Sequence, residues 1–247
     1  MNPNLSQVVP VVLAGGYGTR VQHLLPGLPK PMAQVAGKPF LEWVLRYLAR
    51  QGFRKAVLST GYLSQVIEKH FANQPVPGIT ARCSREGEPL GTGGGFLNAV
   101  RACGESPEAW LVLNGDSLVL ADLAPAVELL RNPKTAAVVL GRVMPDASRY
   151  GTMTIGAEGQ LLGFDEKRPG QGLINAGVYL LKDSLIREFP SRLPLSFEKE
   201  VFPLWIERQL TLKVFPTDAP FLDIGTPESL PQAEEFLKQH RSSFSES

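Results

Sequence analysis

A short apolar run with four valines spans residues 8–13 and stops at Gly15-Gly16. It predicts a buried strand feeding a glycine-rich loop. Further on the period changes. Leu41, Val44, Leu45 and Leu48 recur at the spacing of one helix face, and Gly52 marks the end of that helix. Residues 56–58 predict a second strand, Val66, Ile67 and Phe71 a second helix, and residues 79–83 a third strand. Residues 93–102 predict a helix opened by glycines, and residues 110–113 a fourth strand ending at Asn114-Gly115-Asp116. Strands alternating with helices predict a parallel sheet with crossover helices, whose ligands lie beyond the carboxyl ends of the strands. The loops after Leu13 and before Asp116 both fall there.

The second half reads as mixed. Strands are predicted at 136–140, 152–155, 161–164, 174–181, 212–215 and 221–222, some of them antiparallel, with a helix at 197–206. A terminal helix is predicted over 227–240, with Thr226 as its N-cap and Pro227 in its first turn, followed by a frayed tail from Arg241. No repeat or low-complexity linker interrupts the chain. One domain over residues 1–247 is expected, with a first half at about 8–120 and a second half at about 135–225.

Composition narrows the function. The 247 residues carry 25 basic and 24 acidic side chains, so the basic excess of a nucleic-acid or membrane surface is missing. Two cysteines are too few for a disulfide framework or a thiolate zinc site, and His23, His70 and His240 have no metal-ligand spacing. A metal here would be hard and held by carboxylates. The polar start and the lack of an apolar run near the roughly 18 residues of a membrane helix predict a cytoplasmic location.

Two motifs carry the chemistry. Leu13-Ala14-Gly15-Gly16-Tyr17-Gly18-Thr19-Arg20 puts three glycines after a strand. Backbone amides there can approach a phosphate unobstructed, and Arg20 adds a planar fork for its oxygens. No Gly-Lys-Ser/Thr follows, and Val21 stands where a dinucleotide fingerprint needs glycine. In Leu28-Pro29-Lys30-Pro31-Met32 two prolines restrain one lysine, which can then hold its charge in a set place. The first motif alone is also compatible with a plain glycine-rich turn, and the second alone reads more readily as a rigid surface loop.

Together, at this spacing, the two motifs resemble the signature of the sugar-1-phosphate nucleotidyltransferases, the nucleotide-sugar pyrophosphorylases. The resemblance continues through Gly37-Lys38-Pro39 to Asp223-Ile224-Gly225-Thr226-Pro227, nearly the whole chain. It implies an α/β, Rossmann-like, mostly parallel sheet flanked by helices, with a smaller antiparallel sugar-binding portion. It also implies transfer of a nucleotidyl group from a nucleoside triphosphate to a sugar 1-phosphate, with release of pyrophosphate. Carried over to this chain, Leu13, Ala14, Gly15, Gly16, Gly18, Thr19 and Arg20 wrap the nucleotide, with Glu86, Gly91 and Thr92 beside the nucleoside. Arg20 and Lys30 contact phosphates, and Asp116 and Asp223 hold magnesium. Asn114, Glu166, Lys167 and Asn175 face the sugar phosphate. Arg20, Lys30 and Asp116 form the catalytic set, and the glycine turn opening the helix after Leu90 offers free amides.

Glu88 to Gly94, Gly172-Leu173-Ile174-Asn175 and Ser196-Phe197-Glu198-Lys199 resemble the heptose-1-phosphate guanylyltransferases of bacterial surface-polysaccharide synthesis. GTP and heptose 1-phosphate are therefore the expected substrates, and a homodimer is compatible with the family. Tyr17 and Val21 stand where leucine is commoner, which leaves the choice of base open. The rivals are a uridylyl- or cytidylyltransferase for a hexose 1-phosphate or phosphocholine, a non-catalytic nucleotide-sugar sensor on the same fold, and a dinucleotide-dependent oxidoreductase.

Overall fold

The structure is a computed structural model that describes residues 5–148, 151–165 and 169–244. Its elements in chain order are β1 (Val8–Ala14), β2 (Gln34–Val35), β3 (Lys38–Pro39), α1 (Phe40–Gln51), β4 (Lys55–Thr60), α2 (Ser64–Asn73), β5 (Thr80–Arg85), α3 (Gly91–Cys103) and β6 (Ala109–Asn114). There follow β7 (Ser117–Val119), α4 (Ala124–Arg131), β8 (Ala137–Met144), β9 (Thr152–Ile155), β10 (Leu161–Asp165) and β11 (Gly172–Lys182). The chain closes with α5 (Phe202–Glu207), β12 (Leu212–Thr217), β13 (Phe221–Asp223) and α6 (Ala233–Gln239). Among the described residues no helix is long and apolar enough to cross a membrane.

Nine strands form one sheet. Along its main path the order is β10-β9-β11-β6-β1-β4-β5, and β8 pairs with both β11 and β12. β1, β4, β5 and β6 are mutually parallel where they pair, as alternation predicts, while β11 runs antiparallel to β6 and to β8. The central strands are apolar on both faces because both are covered. Val12, Leu111 and Leu180 pack with Leu41, Val44 and Leu48 of α1 on one side. Val11, Val112 and Leu181 pack with Phe96, Phe197, Phe202 and Trp205 on the other. Each such side chain taken wholly from water contributes roughly 1.5–3 kcal/mol. Helix α1 ends where the reading placed its stop. Gly52 turns left-handed at φ 104°, and the Phe53 N–H reaches back to the Leu48 carbonyl at 3.1 Å.

The register of the parallel strands builds the site. Ala14 lies opposite Thr60, Thr60 opposite Arg85, and Leu13 opposite Asn114. All four strands therefore release their loops at the same end of the sheet.

Three expectations change. The terminal helix begins at Ala233 rather than Pro227, after a short 3-10 turn at Leu230–Gln232 that contains Pro231. Proline lacks an N–H, so Pro231 cannot donate to the turn before it. Thr226 instead forms a local turn, its hydroxyl accepting the Ser229 N–H at 3.3 Å. Residues 241–244 are not frayed: Arg241–Ser243 form a 3-10 turn, and Phe244 is buried edge-on against Trp43 with ring centroids 5.5 Å apart. The helix read at 197–206 divides into a wide π turn, Phe197–Val201, and α5, because Pro203 cannot donate to the preceding turn.

Candidate active site

A cleft of about 340 Å³ opens at the carboxyl ends of the parallel strands. It is lined by Leu13, Ala14, Gly15, Gly16 and Gly18 from the first loop, Lys30, then Glu86, Gly91 and Thr92, and finally Asn114 and Asp116. Tyr17, Pro31 and Pro89 complete the wall.

Close contacts explain most of the glycines. A Cβ at Gly15 would stand 2.7 Å from Glu86 Oε1, and one at Gly115 would stand 2.8 Å from the Leu13 carbonyl oxygen. Gly18 has φ +61°, and a Cβ there would lie 2.8 Å from the Lys30 Cβ. Gly16 differs, since no protein atom lies within 4 Å of the position a Cβ would take. Gly18→Ala is therefore expected to destabilise the fold by about 1–2 kcal/mol through the left-handed backbone alone. Gly16→Ala should stay within about 0.5 kcal/mol of the parent. Urea unfolding of both variants checks this, and equal losses would contradict it.

Glu86 is held from three sides. Its Oε1 accepts the Ser59 hydroxyl at 2.9 Å, its Oε2 accepts the Leu90 N–H at 3.3 Å, and its own N–H donates to the Thr60 carbonyl at 2.7 Å. The glycines that open α3 serve packing. The N–H groups of Gly93 and Gly94 both donate to the Leu195 carbonyl, at 2.9 and 3.4 Å. Gly91, at φ +75°, comes so close to Leu195 that a Cβ would stand 2.3 Å from its carbonyl oxygen. The free amides expected after Leu90 are thus already used at Gly93 and Gly94. The Thr92 hydroxyl oxygen accepts the Phe197 N–H at 3.0 Å.

The charged corner of the cleft is assembled by a strand pair of long sequence separation. β7 follows directly on Asp116, β13 ends in Asp223, and the two pair antiparallel with Ser117 opposite Asp223. The Ile224 N–H closes the pair on the Asp116 carbonyl at 3.0 Å. Two aspartates more than a hundred residues apart thus become neighbours. Burial, and then the charge of Asp116, push the Asp223 carboxyl up from its ordinary value, against Lys30, the Gly225 N–H and Arg20. The Lys30 ammonium pairs with the Asp116 carboxylate, its side chain largely buried between the prolines. Thr19 and Arg20 are exposed at the end of the loop, where the charge of Arg20 reaches Asp223.

On the other side of the cleft, Gly177 turns at φ +71° against Asn114, where a Cβ would meet Asn114 Nδ2 at 2.3 Å. Asn175 sits just before this turn. Its Nδ2 donates to the Tyr179 hydroxyl at 2.8 Å, and its Oδ1 accepts the Gly177 N–H at 2.9 Å. Glu166 and Lys167 lie outside the described residues.

With this geometry in view, similarity to known proteins decides the family. The family model described as nucleotidyl transferase matches residues 9–240. The chain belongs to the nucleotidyl transferase family. Within it, the chain is 35% identical over 234 residues to the D-glycero-alpha-D-manno-heptose 1-phosphate guanylyltransferase of Aneurinibacillus thermoaerophilus, covering 93% of this chain and 98% of that one. Its namesake from Campylobacter jejuni is 36% identical over 219 residues, covering 88% and 95%. The crystal structure of HddC from Yersinia pseudotuberculosis complexed with GMP-PN superposes with a TM-score of 0.82 at 33% identity, over 92% of this chain and 98% of that one. The mostly parallel sheet with flanking helices is thus the nucleotidyl transferase fold.

Sequence reasoning missed several contributors to this nucleotidyl transferase cleft. Tyr17 is 51% exposed at the cleft wall, its ring 5.3 Å from that of Tyr62. Leu195 backs the wall at Gly91, its carbonyl oxygen accepting the Gly93 and Gly94 N–H groups. The adjoining Ser196 to Lys199 motif is the sequence signal nearest to it.

Proposed function

We propose that this chain transfers a guanylyl group from GTP to a heptose 1-phosphate, forming a GDP-heptose and pyrophosphate. The observation that carries this reading is the corner where Asp116, Asp223 and Lys30 meet at the mouth of a glycine-lined cleft. The choice of base and sugar is supported by the two heptose 1-phosphate guanylyltransferases it resembles and by the GMP-PN complex of its structural relative.

A sugar phosphate is a competent nucleophile near neutral pH and needs no general base. One of its oxygens attacks the α-phosphorus, a new P–O bond forms, the bond to the bridging oxygen breaks, and pyrophosphate leaves with that electron pair. The protein's work is positioning and charge stabilisation. Gly16 leaves room for a phosphate to approach the backbone. Lys30 and Arg20 offset charge that builds on the departing pyrophosphate. Asn114, Asn175, Glu166 and Lys167 orient the sugar phosphate.

The donor set at the corner fits magnesium. It offers two carboxylates and no nitrogen or sulfur ligand, and among the described residues no group of three or more His, Cys, Asp or Glu could hold a metal. Magnesium takes one or two carboxylates and fills its shell with water and substrate phosphate. Two crowded carboxylates, one of them already pushed toward its neutral form, are also what a cation relieves. Asp116 and Asp223 would hold the ion, which would supply Lewis-acid stabilisation of phosphate charge.

Pyrophosphate release measured with four nucleoside triphosphates crossed against heptose, mannose, glucose and glucosamine 1-phosphates and phosphocholine tests the reading. Fastest release is expected with GTP and heptose 1-phosphate. Release confined to another pair would replace the substrates, and no release with any pair would overturn the reading.

A further inference from the structure

Tyr179 is wholly buried on β11, four residues after Asn175, yet the two side chains are hydrogen-bonded at 2.8 Å. In a regular strand such residues lie about 13 Å apart, too far to meet. They meet here because the pairing of β11 with β8 breaks register between Asn175 and Tyr179, with Gly177 left-handed inside the break. A bulge of this kind re-aims a side chain. The Tyr179 hydroxyl donates in turn to Glu198 Oε1 at 2.6 Å, and Glu198 Oε2 accepts the Ser196 hydroxyl at 2.8 Å. Ser196 and Glu198 flank Phe197, whose N–H is bonded to Thr92 on the nucleotide side of the cleft.

The polarity of this chain of bonds has one solution. A carboxylate only accepts, so the single Tyr179 proton goes to Glu198. The phenol then offers only a lone pair to Asn175, which must turn its Nδ2 inward. Its Oδ1 is thereby left to accept the Gly177 N–H. Burial, and then the charge of Glu198, hold the phenol protonated far above its ordinary range, so the donor persists at working pH.

We propose that Tyr179 and Glu198 are positioning residues, a relay through a buried phenol that sets which way the Asn175 amide faces and hence which sugar hydroxyl or phosphate oxygen it can meet. The inference deepens the reading of Asn175 as a sugar-phosphate ligand and rests on it for its kinetic consequence. If Glu198 is removed, the Tyr179 proton is free to turn toward Asn175, the amide flips, and two N–H groups face each other at Gly177. Glu198→Gln keeps an accepting oxygen for Tyr179 and so keeps the polarity. Tyr179→Phe keeps the ring against Phe197 and Phe202, at centroid distances of 5.2 and 4.9 Å, and removes only the hydroxyl.

The test has two arms on the full chain. In the first, amide hydrogen exchange at Gly177 is followed by NMR without substrate. Exchange is expected to speed up roughly tenfold in Tyr179→Phe and Glu198→Ala, the loss of about one hydrogen bond, and to stay near the parent rate in Glu198→Gln. Unchanged exchange at Gly177 in Tyr179→Phe overturns the relay, whatever the enzyme's substrate. In the second arm, KM is measured for D-glycero-α-D-manno-heptose 1-phosphate and for GTP. Tyr179→Phe is expected to raise the sugar-phosphate KM about tenfold and leave the GTP KM unchanged, with no further effect once Asn175→Ala is present. Equal rises in both KM values, or full additivity with Asn175→Ala, would mark a general structural role and contradict the proposal. If Asn175→Ala alone leaves the sugar-phosphate KM unchanged, the ligand role of Asn175 fails, and Gly177 exchange still decides the relay.

Discussion

Asp116→Asn is expected to lower the rate of pyrophosphate release on the order of 10³-fold while the protein stays folded. The substitution keeps the shape of the side chain and removes its charge. That takes away half of the carboxylate pair and the fixed anion that holds the Lys30 ammonium in the cleft. The fold should survive because Lys30 still has Asp223 close enough for their charges to interact. The backbone bond from Ile224 to the Asp116 carbonyl is also untouched by a side-chain change. Steady-state turnover together with a thermal melt checks both halves of the expectation. Near-parent turnover from a folded variant would remove Asp116 from the chemistry.

Asp223→Asn is expected to separate activity from stability. Turnover should fall as far as in Asp116→Asn, yet without ligands the variant should be more stable than the parent at neutral pH. The reason is the raised carboxyl of Asp223, caused first by burial and then by Asp116. Between the ordinary carboxylate value and the raised one, the folded state holds more protons than the unfolded state. Stability therefore falls as pH rises through that window and stays reduced above it. Asparagine removes the charge, and its Oδ1 can still accept the Gly225 N–H now bonded at 2.6 Å. Urea unfolding in chelator at pH 7 should favour the variant, and the advantage should shrink as pH approaches about 4. Magnesium with GTP should raise the melting temperature of the parent and do so far less in the variant. Lower stability of the variant at pH 7 would contradict the account of the carboxylate pair. Functional sites commonly trade stability for activity in this way.

What could be read in the chain beforehand followed from local signals. The valine-rich run of β1, the four-residue spacing of α1 and the glycine stop at Gly52 each act within a dozen residues. β7 carries no comparable signal. Its three residues are a strand only because β13 pairs with them from the other end of the chain. The meeting of Asp116 and Asp223 therefore came to the sequence reading through family resemblance and not through spacing. Helix α4 carries only a weak pattern because it is eight residues long and buries only Ala126, Val127 and Leu130. The role of the glycines after Leu90 is not legible locally for a related reason. Glycine leaves room for a ligand or for another stretch of backbone, and only the arrival of Leu195 at Gly93 and Gly94 decides which. The bulge at Gly177, and with it the contact between Asn175 and Tyr179, depends on register across three strands that no single segment encodes.

The central claim is that a sugar phosphate attacks the α-phosphorus of GTP in this cleft, and isotope transfer reaches it most directly. The chain is incubated with magnesium, heptose 1-phosphate and GTP labelled at either the α- or the γ-phosphate, and the products are separated. The account predicts α-label in a GDP-heptose and γ-label in pyrophosphate, with neither transfer when the sugar phosphate is left out. Label from the α-position in free GMP or GDP, or γ-label in inorganic phosphate, would contradict it.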